Sequence, residues 1–255
     1  MKSHQRYFIK LAYNGKAYHG WQWQENAITV QQVIEEAFST ILGGKIAITG
    51  AGRTDTGVHA RDFYAHFDLE EQIEAAEWIE KVYKLNSFLP KDIFIFDIFP
   101  VKHDVHARFS AVSRTYEYLL SMRKDPFLAE SAWQVHAELD LVQMNKGAAI
   151  LQEYSDFTSF SKLHTQVKTN NCNVMQASWE QQGHLLVFTI KADRFLRNMV
   201  RAIVGTLVDL GKGRISLNDY RQIIEAKNRS RAGMSVPAHA LYLIDIEYPE
   251  YISCK

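Results

Sequence analysis

The segment from Thr29 to Gly44 constrains the fold most strongly, because its apolar residues recur at helical spacing. These residues are Val30, Val33, Ile34, Ala37, Phe38, Ile41 and Leu42, which together form one apolar helix face. Thr29 and Gln32 have the spacing of a capping box, and Gly43-Gly44 is a helix-ending pair. The sequence therefore predicts an amphipathic helix between these signals.

Strand-like patterns alternate with further helical patterns along the rest of the chain. We predict strands at Arg6–Tyr13, Ile46–Thr49, Ile93–Phe99, Thr115–Leu120, Val174–Trp179, Leu185–Ile190 and Leu241–Tyr248. We predict further helices at Trp78–Phe88, Leu141–Leu151 and Phe195–Leu210, and a last one starting at Ser216. Helices interspersed with strands, many of them hairpin-like, indicate an α+β fold with antiparallel or mixed sheets.

The length of 255 residues is close to the limit for a single core. We expect two related α/β halves, residues 1–107 and 108–255, which pack around a central cleft because no linker rich in Pro, Gly or Ser separates them. With 47% apolar and 23% charged residues, the composition excludes a disordered or fibrous chain.

The composition also restricts the partners and the compartment. The chain has 29 basic and 29 acidic residues, which argues against a uniformly positive surface but leaves room for local basic clusters. No apolar run reaches the roughly 18 residues of a membrane helix, and the start does not resemble a signal peptide. Cys172 and Cys254 lack a CxxC partner, and His103 and His106 lack a third ligand nearby. We expect a cytoplasmic protein with no membrane partner and no metal.

The segment from Gly50 to Gly57 carries the most chemical information. A dinucleotide fingerprint needs glycine where Asp55 stands, and a P-loop needs Lys and Ser or Thr where Val58-His59 stand, so both are excluded. What remains is a single carboxylate, Asp55, between two threonines in a loop bracketed by glycines. Asp55 is either a reactive group or the cap of an Asx turn.

Three further clusters each allow two interpretations. Arg194, Arg197 and Arg201 form a basic stripe if the helix at Phe195–Leu210 is correct, and such a stripe is either solvated or a binding surface. The tyrosines of Arg114-Thr115-Tyr116-Glu117-Tyr118 share one strand face, either as core aromatics or as a stacking platform. In Gly20-Trp21-Gln22-Trp23-Gln24, the glutamine either reads a base or satisfies a loop.

Taken together, these blocks resemble the tRNA pseudouridine synthase A family, known as TruA. The resemblance rests on the following blocks, in the order of the chain: Tyr13-Asn14-Gly15, Gly20-Trp21-Gln22-Trp23-Gln24, Gly52-Arg53-Thr54-Asp55-Thr56-Gly57-Val58-His59-Ala60, His106-Ala107-Arg108-Phe109-Ser110-Ala111, Arg114-Thr115-Tyr116, Asp156-Phe157-Thr158-Ser159-Phe160, Phe195-Leu196-Arg197-Asn198-Met199-Val200-Arg201 with Gly205, and Leu241-Tyr242-Leu243. The similarity runs from about Arg6 to about Tyr248. His19, Val105, Ala240 and the stretch Lys168–Asn173 depart from the family pattern.

The resemblance implies an isomerase that converts uridines 38, 39 and 40 of the tRNA anticodon stem-loop to pseudouridine. It also implies a pseudouridine synthase fold with a positively charged catalytic cleft, a homodimer and no cofactor. Isomerisation breaks the C1′–N1 bond and joins C5 to C1′ with no net redox change, which suits a chain without nucleotide or metal motifs. Two other classes stay open, a hydrolase of the nucleoside C–N bond and a non-enzymatic RNA-binding protein.

The resemblance also assigns roles to individual residues. Asp55 would act as a nucleophile at C1′ or as a base at C2′, and Arg201 would pair with it. Tyr116 would stack on the detached uracil and assist removal of the C5 proton. Arg53 would hold the phosphate of the flipped-out nucleotide, and Leu241 would pack against the uracil. The remaining residues implied in substrate binding are Trp21, Gln22, Arg108 and Arg197.

Overall fold

The computed structural model describes residues 4–70, 72–162 and 169–252. It divides the chain into two compact units, Met1–Val112 with Leu243–Lys255 and Ser113–Tyr242. Cys254 and Lys168 lie outside the described residues. Within the described part of the chain, no helix has both the length and the apolar character needed to cross a membrane.

The first unit is built on an antiparallel sheet. Strand β1 (Gln5–Tyr13) pairs with β3 (His59–Leu69) on one side and with β4 (Ile93–Val101) on the other, and β2 (Thr49–Gly50) pairs with β3. Side chains alternate across the pleat, so Tyr7, Phe63 and Phe67 lie on one face of β1 and β3, while the other face mixes charged residues with the aromatic residues Phe8 and Tyr64. This mixed face holds ion pairs between the strands, such as Lys10 with Asp62 at 3.1 Å.

Two helices pack on the sheet face that holds Tyr7, Phe63 and Phe67. They are α1 (Val30–Leu42) and α2 (Ala75–Phe88). The ring of Phe38 on α1 lies 5.2 Å from that of Phe67 on β3, and Trp78 on α2 lies 5.0 Å from Tyr7 on β1. The predicted helix from Thr29 is confirmed, although only half of its capping box forms. The Thr29 side chain accepts a hydrogen bond from the Gln32 N–H, while the Gln32 side chain donates to Glu36.

The second unit has the same kind of architecture. Strand β5 (Ser113–Ser121) pairs with β8 (Leu185–Ala192), and β8 pairs with β7 (Val174–Gln182), all antiparallel. The short strand β6 (Trp133–Gln134) runs parallel to the end of β5. The helices are α3 (Leu141–Ile150), α4 (Met199–Gly211) and α5 (Leu217–Glu225), and β9 (Leu241–Glu247) carries the chain from this unit back to the first. Helices with antiparallel and mixed strands confirm the α+β class.

The structure differs from the sequence prediction at several elements. Strands β3 and β6 were not predicted at all, and the strand predicted at Ile46–Thr49 is reduced to Thr49–Gly50. Helix α4 begins at Met199 rather than at Phe195, because Asn198 adopts a left-handed conformation with φ of 67°. A left-handed residue interrupts helical geometry, so the preceding residues cannot belong to the helix.

Candidate active site

Asp55 lies half-buried in the loop that joins β2 to β3, and the backbone of this loop is held from both sides. The Trp21 N–H donates to the carbonyl of Thr54 at 3.3 Å, and the Gly57 N–H donates to the carbonyl of Tyr18 at 3.3 Å. Within the loop, the Val58 N–H donates to the carbonyl of Asp55 at 3.1 Å. The backbone on each side of the carboxylate is therefore fixed.

A buried hydroxyl pair anchors the residue next to Asp55. The Tyr13 hydroxyl at the end of β1 and the Thr54 hydroxyl are 2.8 Å apart, and both side chains are buried. Hydroxyls can donate and accept, so this pair satisfies both groups away from water. Because Thr54 precedes Asp55 directly, the bond restrains the direction in which the Asp55 side chain leaves the loop.

Two glycines allow the backbone of residues 14–21 to lie directly against the loop. A Cβ on Gly15 would lie 1.9 Å from the Val58 carbonyl oxygen, and a Cβ on Gly20 would lie 2.3 Å from that of Thr54. Gly20 also has φ of 86°, which side-chain-bearing residues rarely adopt. The Gly15 N–H donates to Nδ1 of His59 at 3.1 Å, which fixes the start of β3 as well.

Tyr18 extends this support to a second carboxylate. Its hydroxyl donates to Asp92 at 2.6 Å, while its backbone carbonyl is the acceptor for Gly57. Burial, followed by the bond to Asp92, raises the pKa of Tyr18, so the hydroxyl stays protonated and remains a donor. No local sequence pattern marks Tyr13, Thr54, Tyr18 or His59 as functional, although all four lie within or beside the sequence blocks that resemble the family.

The substrate-binding residues predicted in this unit have different surroundings. Trp21 is 2% exposed, and its ring centroid lies 4.2 Å from that of Phe63, so the indole is part of the core. Gln22 and Arg53 are exposed. Arg108 is also exposed, and its guanidinium carbon lies 5.4 Å from the centroid of the Phe109 ring.

In the second unit, Tyr116 and Tyr118 lie on the same face of β5 but have different environments. Tyr116 is half-buried, with its ring edge-to-face against Phe195 at 5.1 Å. Tyr118 is fully buried and donates to the carbonyl of Pro237 at 3.0 Å. Burial raises the pKa of Tyr118, with a smaller opposing effect from Arg201. Of the two tyrosines, Tyr116 has the accessible ring, and Tyr118 belongs to the core.

Arg201 lies in the first turn of α4, and its side chain is oriented by the backbone of Val236. The Arg201 Nε donates to the Val236 carbonyl at 2.7 Å, and the Val236 N–H donates to the Arg201 carbonyl at 3.3 Å. The left-handed Asn198 just before the helix donates from its side chain to Ser235 at 2.6 Å. The segment 235–236 therefore fixes both the start of α4 and the plane of the Arg201 guanidinium.

The predicted basic stripe of Arg194, Arg197 and Arg201 is wrong, because α4 begins only at Met199. Arg194 and Arg197 precede the left-handed Asn198 and cannot share a helix face with Arg201. Arg197 is exposed, and its carbonyl accepts from the Lys162 N–H at 3.1 Å. Leu241, at the start of β9, is buried.

Comparison with known proteins identifies the family to which this arrangement belongs. A family model described as tRNA pseudouridine synthase matches residues 10–110 and 154–249. The chain is 55% identical to the tRNA pseudouridine synthase A of Parabacteroides distasonis over 245 residues, covering 96% of each chain. It is 55% identical to that of Porphyromonas gingivalis over 249 residues, covering 96% of this chain and 97% of the relative. The chain belongs to the tRNA pseudouridine synthase A family.

This membership confirms the resemblance drawn from the sequence blocks. It also places the chain among isomerases that convert uridine to pseudouridine, as the sequence analysis predicted. A more distant relative, the tRNA pseudouridine synthase A of Colwellia psychrerythraea, is 38% identical over 247 residues and covers 96% of this chain and 94% of its own. The alignment with this relative covers 96% of the chain and therefore spans both units. It includes the Asp55 loop of the first unit and the Tyr116 and Arg201 positions of the second.

The described side chains include one carboxylate suited to chemistry at a sugar carbon. Among residues 4–70, 72–162 and 169–252, no group of three or more His, Cys, Asp or Glu side chains is arranged to hold a metal ion. Asp55 is a half-buried carboxylate on a fixed loop. Such a group can act at an electron-poor sugar carbon either by attacking it or by removing a neighbouring proton.

Proposed function

We propose that this protein isomerises uridines 38, 39 and 40 in the anticodon stem-loop of tRNA to pseudouridine, as a homodimer and without a cofactor. The observation that carries the proposal is the fixed Asp55 loop in a chain that belongs to the tRNA pseudouridine synthase A family. The relatives at 55% identity align over nearly their whole length, which supports a common activity. A cytoplasmic location follows from the proposed substrate.

The proposed reaction begins at the bond between the sugar and the base. The C1′–N1 bond breaks with its electrons on N1, the uracil turns, C5 bonds to C1′, and the C5 proton leaves to a base while N1 gains a proton. Asp55 either attacks C1′ to form a covalent intermediate, whose bond to Asp55 breaks as C5 bonds to C1′, or removes a proton from C2′ that returns there as C5 bonds to C1′. Both roles need a carboxylate that does not move as charge develops, because rate depends steeply on placement. The hydrogen bonds to the Asp55 loop supply that rigidity.

Four further side chains complete the proposed site. Arg201 would pair with Asp55 and orient it, and the bond from Arg201 to the Val236 carbonyl supports a fixed guanidinium plane. Tyr116 would stack on the detached uracil and assist removal of the C5 proton, which requires the accessible ring that the edge contact with Phe195 leaves. Arg53 is exposed and would bind the phosphate of the flipped-out nucleotide. Leu241 would pack against the uracil.

The test is release of tritium from tRNA transcripts labelled at C5 of uridine. Wild-type protein should release tritium to water without free uracil, and transcripts with uridine at only one of positions 38, 39 and 40 identify the sites. Asp55→Asn should abolish release and retain tRNA binding. Asp97→Asn is the matched control, because Asp97 is exposed and the amide keeps an oxygen to accept from the Ile98 N–H.

Each alternative class has its own outcome in this experiment. Free uracil in the reaction mixture would show a hydrolase of the C–N bond. Binding of tRNA without tritium release by the wild type would show an RNA-binding protein in which Asp55 is structural. Equal release by Asp55→Asn and wild type would contradict the role of Asp55 while leaving the activity in place.

A further inference from the structure

The turn from His106 to Ser110 in the first unit is held by a histidine side chain rather than by backbone bonds alone. Nδ1 of His106 accepts from the N–H groups of Arg108 at 3.1 Å and Phe109 at 3.4 Å. The Ser110 N–H donates to the His106 carbonyl at 2.9 Å, and the His106 N–H donates to the Ser110 hydroxyl at 3.0 Å. The residues between them are therefore held in one conformation.

A second histidine supports the same turn from the sheet. His66 on β3 is buried, and its Nδ1 accepts from the Ala107 N–H at 3.2 Å. The rings of His66 and His106 meet edge-to-face at 4.6 Å. Burial, helped by the nearby Arg6, lowers the pKa of His66 to about 4 and also lowers the pKa of His106. Both rings are thus neutral near pH 7, the state in which Nδ1 can accept a hydrogen bond.

The side chains that this turn presents to solvent are an aromatic ring and a guanidinium. Phe109 is 75% exposed although its backbone is fixed, and its ring lies 4.4 Å from that of His106. The Arg108 guanidinium lies over the Phe109 ring at 5.4 Å. An exposed phenyl ring on a fixed backbone contributes nothing to the core, so its position indicates a binding role more strongly than an exposed side chain on a flexible loop would.

This pair matches what an unpaired nucleotide requires. Proteins bind single-stranded RNA by stacking its bases on aromatic rings and by neutralising its phosphates with cations, and these contacts work for any base. A planar ring with a guanidinium beside it offers both contacts within the span of one nucleotide. A second protein chain would also bury the ring, but it does not account for the positive charge placed beside it.

We propose that Arg108 and Phe109 form a contact point for tRNA, at which an unpaired base stacks on Phe109, and that His106 is the positioning residue that holds the ring in place. This inference rests on the proposed function, since it takes tRNA as the ligand. It adds Phe109 to the substrate-binding residues and His106 as the residue that positions its ring, and it gives the His106–Ala111 sequence block a physical role.

The first experiment measures binding of fluorescently labelled tRNA to Phe109 variants of the full-length protein. Phe109→Ala and Phe109→Leu should weaken binding by at least about fivefold, since stacking of a base on an aromatic ring contributes roughly 1–3 kcal/mol. Phe109→Trp should restore it, because a larger ring stacks as well or better. Leucine separates stacking from simple apolar contact. Phe127→Ala is the matched control, because Phe127 is 93% exposed and lies in the other unit.

The second experiment tests the positioning role of His106 with a double-variant cycle. His106→Ala should weaken tRNA binding in the wild-type background and have little further effect in the Phe109→Ala background. His106→Asn should rescue part of the loss, since its side-chain oxygen can replace Nδ1 as an acceptor. Equal losses from His106→Ala in both backgrounds would show that His106 acts independently of Phe109 and would overturn its assignment.

The outcomes separate this inference from the proposed function. Tritium release by the wild type at saturating tRNA tests the activity alone, whereas Phe109 variants should raise KM for tRNA and leave kcat nearly unchanged. Unchanged tRNA affinity in Phe109→Ala, with an active wild type, overturns the inference and leaves the function intact. A changed sedimentation coefficient of Phe109→Ala with unchanged tRNA affinity would instead assign the ring to a contact between copies of the chain, and would likewise overturn it.

Discussion

Removing the hydroxyl of Tyr13 should destabilise the protein and slow the reaction, although Tyr13 is not proposed to touch the substrate. In Tyr13→Phe, the buried Thr54 hydroxyl loses the partner that lies 2.8 Å away. A buried polar group left unsatisfied costs about 1–3 kcal/mol, so we expect a loss of that size in the free energy of unfolding. Thr54→Val should cost a similar amount, because it removes the hydroxyl that lies 2.8 Å from the buried phenol oxygen.

The double variant makes the reasoning testable. When both partners become apolar, neither polar group is left buried alone, so Tyr13→Phe with Thr54→Val should be more stable than the sum of the single losses by about 1–2 kcal/mol. Urea unfolding of the four proteins gives this coupling energy directly. Additive losses would show that the bond contributes nothing to the free energy of unfolding, and would refute its role in anchoring the loop.

The same variants should separate stability from catalysis. The bond restrains Thr54, which precedes Asp55, and misplacement of a reacting group by about 1 Å can reduce the rate roughly a hundredfold. We therefore expect kcat for tritium release to fall by at least about tenfold in each single variant and to stay low in the double variant, while KM changes little. Recovery of kcat together with stability in the double variant would refute the positioning role of the bond.

Further variants test other parts of the structure. Gly20→Ala should lower the free energy of unfolding by more than about 2 kcal/mol, because it combines an unfavourable φ of 86° with a Cβ contact of 2.3 Å. Gly43→Ala is the control in the same urea unfolding assay. It should cost only about 1–2 kcal/mol, because Gly43 has a φ of 74° but no described neighbour within 4 Å of an added Cβ. The pKa of His66 is lower in the folded chain than in the unfolded chain, so the free energy of unfolding should fall by about 2 kcal/mol from pH 7.5 to pH 5. His66→Asn keeps an acceptor for the Ala107 N–H and should lack this part of the loss when its unfolding is measured at both pH values. An unchanged pH dependence in His66→Asn would contradict the lowered pKa. Arg201→Lys keeps the charge but loses the Nε donor to Val236, so turnover should drop at least about a hundredfold with tRNA affinity retained, and wild-type turnover would contradict a role for the planar guanidinium.

Most elements of the fold could be predicted from the periodicity of apolar residues, but the strand pattern of β3 could not be recognised in the sequence. Its inward residues Phe63, Ala65 and Phe67 do alternate, yet charged residues at both ends of this run hide the pattern. Those charges are stable on a strand because β1 supplies their partners, as when Arg6 pairs with Asp68 at 2.7 Å. A partner 62 residues away is a tertiary effect, which local pattern cannot reveal.

At the start of α4, local pattern predicts too much regular structure rather than too little. Phe195 has the right spacing for a helix face, so the local pattern extends the helix too far. The chain turns at Asn198 instead, because its side chain bonds to Ser235 and stabilises a conformation that asparagine tolerates better than most residues. The grouping of three arginines on one helix face depended on a helix boundary that a distant serine determines.

The Asp55 loop depends for its shape on residues that carry no chemistry. A Cβ at Gly15 would overlap the Val58 carbonyl, and one at Gly20 would overlap that of Thr54, so each backbone segment can approach the loop only as glycine. Removal of either close approach would also displace donors or acceptors that fix the loop, such as the Gly15 N–H to His59. The blocks at residues 13–21 and 52–60 therefore form one structural unit despite their separation in sequence. A substitution in the first block should impair the chemistry of the second, even where it leaves Asp55 itself unchanged.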